Sequence, residues 1–293
     1  MGLTGNIVCT ADLMRERCDE MFALMQRYYE NVRREEFDQD LHEKDWVIEV
    51  SRPSDGALCG FSTQMAFDLP LADRTVRGLF SGDTIVDPQY WSNNPLAGLW
   101  GNLVLALVER SPWEELCWFL ICKGYKTYRF LPTFFEEYYP RHDRPTPDWA
   151  SARLQAFSDM KFPERYDAAR GIIRAAIDSA RLREGVAQVT PQRLRNADVR
   201  FFCERNPGHA QGDELCCVAP LSRDNFTAAA WRVISATRHL IPGTVPFESP
   251  ASSSDAMHEA ILTQRREDAK TRKEESKCIP QLPPWDFASK TYR

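Results

Sequence analysis

The fold is decided by the run Val76-Arg77-Gly78-Leu79-Phe80-Ser81-Gly82-Asp83-Thr84-Ile85-Val86 and by the residues next in the chain: Asp87-Pro88, a polar turn over 89–95, the apolar stretch 96–108, the wholly apolar Leu116-Cys117-Trp118-Phe119-Leu120-Ile121-Cys122, and then Gly124. Residues 76–86 have the length and composition of a strand. Pro88 cannot continue a ladder and stops it. Residues 96–108 interleave large apolar and small residues and read as a buried helix. Leu116–Cys122 is bounded by charge and suits a strand buried on both faces. A second helical stretch is expected through Phe130, Phe134 and Phe135 to Tyr139. Strand, helix, strand, helix predicts a parallel pair of strands, because a parallel connection needs a crossover.

Upstream, residues 46–50 and 58–69 are strand-like and are separated by Ser51-Arg52-Pro53-Ser54-Asp55-Gly56, dense in turn residues. With 76–86 they form an antiparallel meander. Residues 7–10 predict a first strand. Met14, Cys18, Met21, Phe22, Met25, Tyr28, Tyr29 and Val32 recur at steps of three and four, which predicts an amphipathic helix. A turn or short helix is expected over 37–44. Downstream, 164–182 carries Tyr166, Ala169, Ile172, Ile173, Ala176, Ile177 and Ala180 and predicts another helix. Residues 199–203 and 214–218 are expected as a strand hairpin around Asn206-Pro207-Gly208, and 226–240 as a helix. Residues 256–277 are helix-capable and charged, and 279–293 are broken by three prolines, which predicts a peripheral helix and an extended tail.

Composition narrows the function classes. The 293 residues are 43% hydrophobic and 11% aromatic, enough for a substantial core. The net charge of −5 does not suit a general nucleic-acid binder. None of the nine cysteines forms a CxxC pair or a zinc-spaced cluster, so no metal is expected. They read as small buried hydrophobes in a reducing compartment. With no signal peptide in residues 1–20 and no run of the ~20 apolar residues a span needs, a cytoplasmic protein without a membrane span is expected.

The order strand, helix, three antiparallel strands, helix, strand, helix, strand, strand resembles the GNAT (Gcn5-related N-acetyltransferase) fold over about residues 7–218. The fold class expected is α/β (α+β): a mixed central sheet flanked by helices, with a helical insertion over 140–198 before the last two strands and a C-terminal helical tail. The domain division is 1–240 for the acyltransferase core and 241–293 for the tail. Three signals carry the resemblance. Val86, Pro88 and Tyr90 fit the family's Val-x-Pro-x-Tyr/Phe junction into the acyl-donor loop. The strand ending at Cys122 is followed by Lys123, Lys126 and Arg129. Phe134-Phe135-Glu136-Glu137-Tyr138-Tyr139 is similar to the family's Phe-Tyr-Glu helix ending. The glycines of the family's donor loop are replaced by Ser92-Asn93-Asn94-Pro95-Leu96-Ala97-Gly98, and Phe135 stands where the family has its tyrosine.

The resemblance implies transfer of an acyl group from a coenzyme A or phosphopantetheine thioester to the amine of a small molecule or amino acid, in a biosynthetic pathway. The missing glycines favour an acyl carrier protein as donor, as in N-acyl amino acid and acyl-homoserine lactone synthases, with a basic landing surface at Lys123, Lys126, Arg129, Arg141 and Arg144. Asp83 is the candidate base. Tyr128 is the candidate acid, with Tyr138 and Tyr139 as alternatives. Ser81, Thr84, Ile85, Val86, Asn93, Asn94, Gly98, Lys123, Lys126 and Arg129 are the expected donor- and substrate-binding residues. Each has a plainer reading: a turn or bulge for Asp83, strand packing for Ser81 and Thr84, a solvated helix start for the lysines, core packing for Tyr128. Cys122 as a nucleophile has no matching His context. The alternatives are a non-catalytic binding module on the same fold, and an autoinducer-type synthase using S-adenosylmethionine.

Overall fold

The computed structural model describes residues 2–71, 74–92, 94–110, 115–186, 188–241 and 245. Strand β1 (Thr4–Cys9) leads to helix α1 (Arg15–Tyr28), a two-residue strand β2 (Tyr29–Glu30) and helix α2 (Arg34–His42). The meander comes next as β3 (Trp46–Ser51), β4 (Leu58–Leu71) and β5 (Arg74–Val86). Helix α3 (Leu96–Arg110) crosses to β6 (Leu116–Cys122). Short helices α4 (Tyr125–Tyr128) and α5 (Phe130–Phe134) precede α6 (Asp148–Lys161). Three two-residue strands, β7 (Tyr166–Asp167), β8 (Ile172–Ile173) and β9 (Arg181–Leu182), lead to α7 (Ala197–Arg205), β10 (Glu214–Pro220) and α8 (Ala228–Thr237).

The eight-stranded sheet has the order β1-β3-β4-β5-β6-β10-β8-β7, and β2 pairs with β9 in a separate ribbon. β5 and β6 are parallel, as the crossover through α3 requires, and the other pairs are antiparallel. The mixed α/β class and the meander are as expected from sequence. Alternation along β3 shows why the sheet needs two cores. Trp46, Ile48 and Val50 join the cluster under α3 and α8, while Val47 points to the cluster under α1 and α2, with Met21, Leu24, Met25, Phe37, Leu41, Phe61 and Ile85. Burying Met21, Leu24 and Met25 is worth about 1.5–3 kcal/mol each, an upper figure because the unfolded chain is partly collapsed. No helix of the described residues is long and apolar enough to cross a membrane.

Three expectations about elements need correction. Residues 199–203 are helix, not strand: Asn196 caps α7 by accepting from the Val199 N–H at 3.1 Å, and Val199 and Phe202 share its buried face. The outer partner of β10 is therefore β8, from the 140–198 segment. Residues 164–182 are not a helix. Gly171 turns the chain at φ +69°, β7 and β8 form a hairpin, and Ile177 of the supposed apolar stripe is fully exposed. The segment is held instead by Asp213, which accepts from the Ala175 N–H at 2.9 Å and from Arg174 at 3.0 Å. The helix of this region is α6, unread in sequence. The stretch to Tyr139 is helical only to Phe134. Phe135 then bridges to Phe226, and Tyr139 to Val218. The helix and tail expected beyond 241 lie outside the described residues, apart from Val245.

Candidate active site

The site begins where two strands part. β5 and β6 run in register from Arg77/Leu116 to Ser81/Leu120 and are not paired beyond. The cause on β5 is a bulge. Against β4, Ser81 pairs with Gln64 and Thr84 with Ser62, so three steps on β5 match two on β4, and Gly82-Asp83 hold the extra residue. Glycine is needed there, because a Cβ on Gly82 would lie 2.6 Å from Thr63 Oγ1 and 2.8 Å from Lys44 Cε. The gap opens into a cavity of about 690 Å³. Its walls come from the end of α1 and from α2, the end of β5, the turn before α3, the start of α4, and a strap over 176–186.

The strap is the part of 140–198 that shapes the site. Tyr29 pairs with Leu182 and Glu30 with Arg181, and the Arg183 N–H donates to Tyr28 O at 2.9 Å. Arg181 is ion-paired to Glu30 at 3.0 Å, and Arg33 to Asp178 at 3.6 Å.

Asp83 sits on the bulge and lines the cavity. Burial, then the neighbouring Asp40 charge, pushes its pKa up to about 6, while Lys123 and Lys44 pull it down. It makes no hydrogen bond among the described residues, so its oxygens are available to a ligand. Around it Lys44 pairs with Asp40 at 2.7 Å, and Lys123 with Glu214 at 3.4 Å. Lys123 also lies 5.8 Å above the Tyr29 ring. Burial lowers the Lys123 pKa, but Glu214, Tyr29 and Asp83 outweigh it and the net shift is upward. Burial raises the Tyr29 phenol to about 12. Tyr28 and Tyr29, which sequence reading took only as helix-face residues, are the phenols that line the cavity. They stand where α1 ends and β2 begins, and Asn31, at φ 59°, follows them.

The cavity thus gathers Asp83, Thr84, Ile85, Val86, Asn94, Lys123 and Lys126 from the expected set. The others go elsewhere. Ser81 is buried in a hydrogen-bonded network beneath the sheet. Gly98 is a packing glycine: a Cβ there would fall on Thr237 Oγ1 and the Val233 carbonyl of α8. Tyr128 is fully buried, donates to Pro140 O at 2.9 Å, and has its pKa raised by burial. Tyr138 and Tyr139 are also buried and off the cavity. Arg129 does not line the cavity, and its Nε is buried without a partner among the described residues. Asn93 lies outside the described residues.

Two expected anion-binding features are already engaged. The Leu96 N–H at the start of α3 donates to Asn94 Oδ1 at 3.3 Å. Lys126 stands 3.3 Å over the Trp91 ring and donates to Val186 O at 3.0 Å, and burial followed by Arg193 lowers its pKa. Arg141 and Arg144 are both directed at Asp143. The expected basic landing surface is therefore not a set of free cations.

A smaller cavity of about 40 Å³ lies on the α3 side of the sheet and shares Thr84, Leu96 and Phe130 with the large one. Trp100, Trp118, Phe134, Phe135 and Phe226 wall it, and Ser62 and Ser81 lie at its floor.

No family model matches this sequence, and no curated protein matches it. Solved structures do. A GNAT family N-acetyltransferase from Escherichia coli in complex with CoA is 14% identical, with a TM-score of 0.30 over 46% of this chain and 70% of that one. A conserved protein of unknown function and probable N-acyltransferase from Enterococcus faecalis is 13% identical, with a TM-score of 0.36 over 75% of this chain and 66% of that one. Glucosamine-6-phosphate N-acetyltransferase from Arabidopsis thaliana is 13% identical, with a TM-score of 0.30 over 49% and 97%.

Proposed function

We propose that this chain is an N-acyltransferase that moves an acyl group from a pantetheine thioester to the amine of a small molecule. The observation that carries the reading is the parting of β5 and β6 beyond Ser81/Leu120, which leaves an unpaired strand edge beside a carboxylate of raised pKa. An extended pantetheine arm bears amides and fits such an edge as an added strand does. The amine approaches from the α2 side, where Asp83 is the lining carboxylate without a salt-bridge partner among the described residues, Glu36, Asp40 and Glu214 being paired with Arg33, Lys44 and Lys123. Asp83 takes the ammonium proton. The amine then forms the C–N bond to the carbonyl carbon, the resulting oxyanion re-forms the carbonyl as the C–S bond breaks, and the leaving thiolate takes the second amine proton to become the free thiol. Asp83 is suited to this because a base near pH 6 is ionised at neutral pH yet far more basic than an exposed aspartate.

The start of α3 favours phosphopantetheine on a carrier protein over free coenzyme A. Pro95 has no N–H, the Leu96 N–H is occupied by Asn94, and Lys126 is tied to Val186 and Trp91. A pyrophosphate has little left to bind there. The test is incubation with acyl-coenzyme A and acyl-carrier thioesters of several lengths and a set of cationic and zwitterionic amines, reading free thiol. Amine-dependent thiol release is expected, faster with the carrier. No release from any donor, with no thermal protection by coenzyme A or loaded carrier, would leave the non-catalytic binding reading.

A further inference from the structure

We infer that the Thr84 hydroxyl is a pre-oriented hydrogen-bond donor to the oxyanion formed in the transfer, a role that rests on the acyltransferase reading. It is backed by a buried chain of side chains whose direction the two indoles fix. In a regular strand Ser81 and Thr84 would face opposite sides of the sheet. The Gly82-Asp83 bulge puts both against β4 on the α3 side, Ser81 with Gln64 and Thr84 with Ser62.

Gln64 is fully buried, and its amide cannot be turned around. Trp100 Nε1, a donor only, lies 3.0 Å from one end of it, and Ser81 Oγ lies 2.6 Å from the same atom. Ser81 in turn accepts from Trp118 Nε1 at 2.9 Å, so its own proton goes to Gln64. An atom that receives two donors is the oxygen. The Gln64 nitrogen therefore faces Ser62 Oγ at 2.7 Å, and Ser62 must accept. Thr84 Oγ1 lies 2.7 Å from Ser62 Oγ, where either hydroxyl can donate; because Ser62 is buried and has no other acceptor among the described residues, we assign its proton to Thr84. Thr84 Oγ1 accepts that bond. Its own proton has no acceptor among the described residues, and Thr84 lines both cavities. An amide at the buried end cannot pass protons along, so the chain polarises Thr84 as a donor without making it an acid. A donor held this way needs no reorganisation when charge develops on the carbonyl oxygen, and such a donor is worth about 10²–10³ in kcat. Gln64, Ser62 and the indoles are positioning residues.

The experiment compares Thr84→Val, which keeps the shape and loses the hydroxyl, with Thr84→Ser, using the best thioester and amine found for the wild type. Thr84→Val is expected to lower kcat about 100-fold with KM for the thioester little changed, and Thr84→Ser to restore most of it. Gln64→Leu is expected to lower kcat by less, and to add nothing on top of Thr84→Val. A Thr84→Val protein that melts like the wild type and keeps its kcat would overturn the inference. So would a rise in KM alone. Absence of thiol release by the wild type would instead overturn the acyltransferase reading itself.

Discussion

In the proposed reaction Asp83 is the base, and it carries a stability cost as well. Its folded-state pKa of about 6 lies above the unfolded value of 3.8, so the native state holds the proton more tightly than the unfolded chain. That preference stabilises the fold fully below about pH 4 and is lost as pH rises through about 6. At neutral pH the ionised carboxylate is therefore a net cost. Asp83→Asn should abolish amine-dependent thiol release yet raise stability near neutral pH, by on the order of 1–3 kcal/mol, with the gain vanishing near pH 4. Thermal melts across pH read this directly, and equal gains at all pH values would contradict it. The wild-type kcat/KM should rise with pH through a midpoint near 6. Lys123→Met removes a cation that lowers the Asp83 pKa, so its midpoint should move upward. At this scale the sequence was partly legible. Asp83 and Thr84 were picked from their strand, and both line the cavity. Tyr28 and Tyr29 were hidden because the cavity they line is closed by the 176–186 strap, whose pairing with Tyr29 and Glu30 no local pattern announces. Tyr128 was misread because its partner, Pro140, is fixed only by the fold, and the tie of Lys126 to Val186 was hidden for the same reason, although Lys126 does line the cavity.

Elements were legible where period and partner agree. β3, β4, β5, α3 and β6 each bury a face that their own pattern prescribes. α7 and the 164–182 segment were not, for one reason: both are short pieces decided by single polar side chains. Asn196 caps the first and Asp213 pins the second. The apolar residues of 164–182 recur at helical spacing, but Ile177 ends in solvent. α3 and α8 show the opposite case, in which a resemblance assigned a ligand role to a residue that packs. Gly98 and Gly101 let α8 approach, and Asn102 Nδ2 ties the pair by donating to Ile234 O and Thr237 Oγ1, each at 3.1 Å. Gly98→Ala should destabilise the protein by about 1–3 kcal/mol through overpacking against a backbone carbonyl that cannot give way. Urea unfolding measures the loss. The KM for a thioester donor should stay unchanged below the transition, and a selective rise in that KM would return Gly98 to the donor site.

For the whole molecule, the 140–198 segment changes the kind of site this is. The sequence predicts a helical insertion there. The segment instead supplies a helix under one face, two edge strands beyond β10, and a strap across the cavity. The strap's attachments are mostly exposed: the β2–β9 ribbon, the Arg181–Glu30 and Arg33–Asp178 pairs, and Arg183 donating to Gln26 O at 3.1 Å. Exposed pairs of this kind are worth about 0–1 kcal/mol each, whereas the central strands are locked in both cores. The strap is therefore the part of the cavity wall that opens at least cost, and it covers the side from which the amine enters in the proposed reaction. Arg181→Ala combined with Arg183→Ala should leave the global melting temperature nearly unchanged. It should speed hydrogen exchange at the Arg183 amide, which donates to Tyr28 O, while amides of β4 and β5 keep their protection. In catalysis the pair should raise KM for the amine and spare kcat, because the strap touches neither Asp83 nor Thr84 through any hydrogen bond or ion pair among the described residues. A fall in kcat at unchanged KM would mean that the strap closes on the reacting atoms themselves, and would move it from the doorway into the active site.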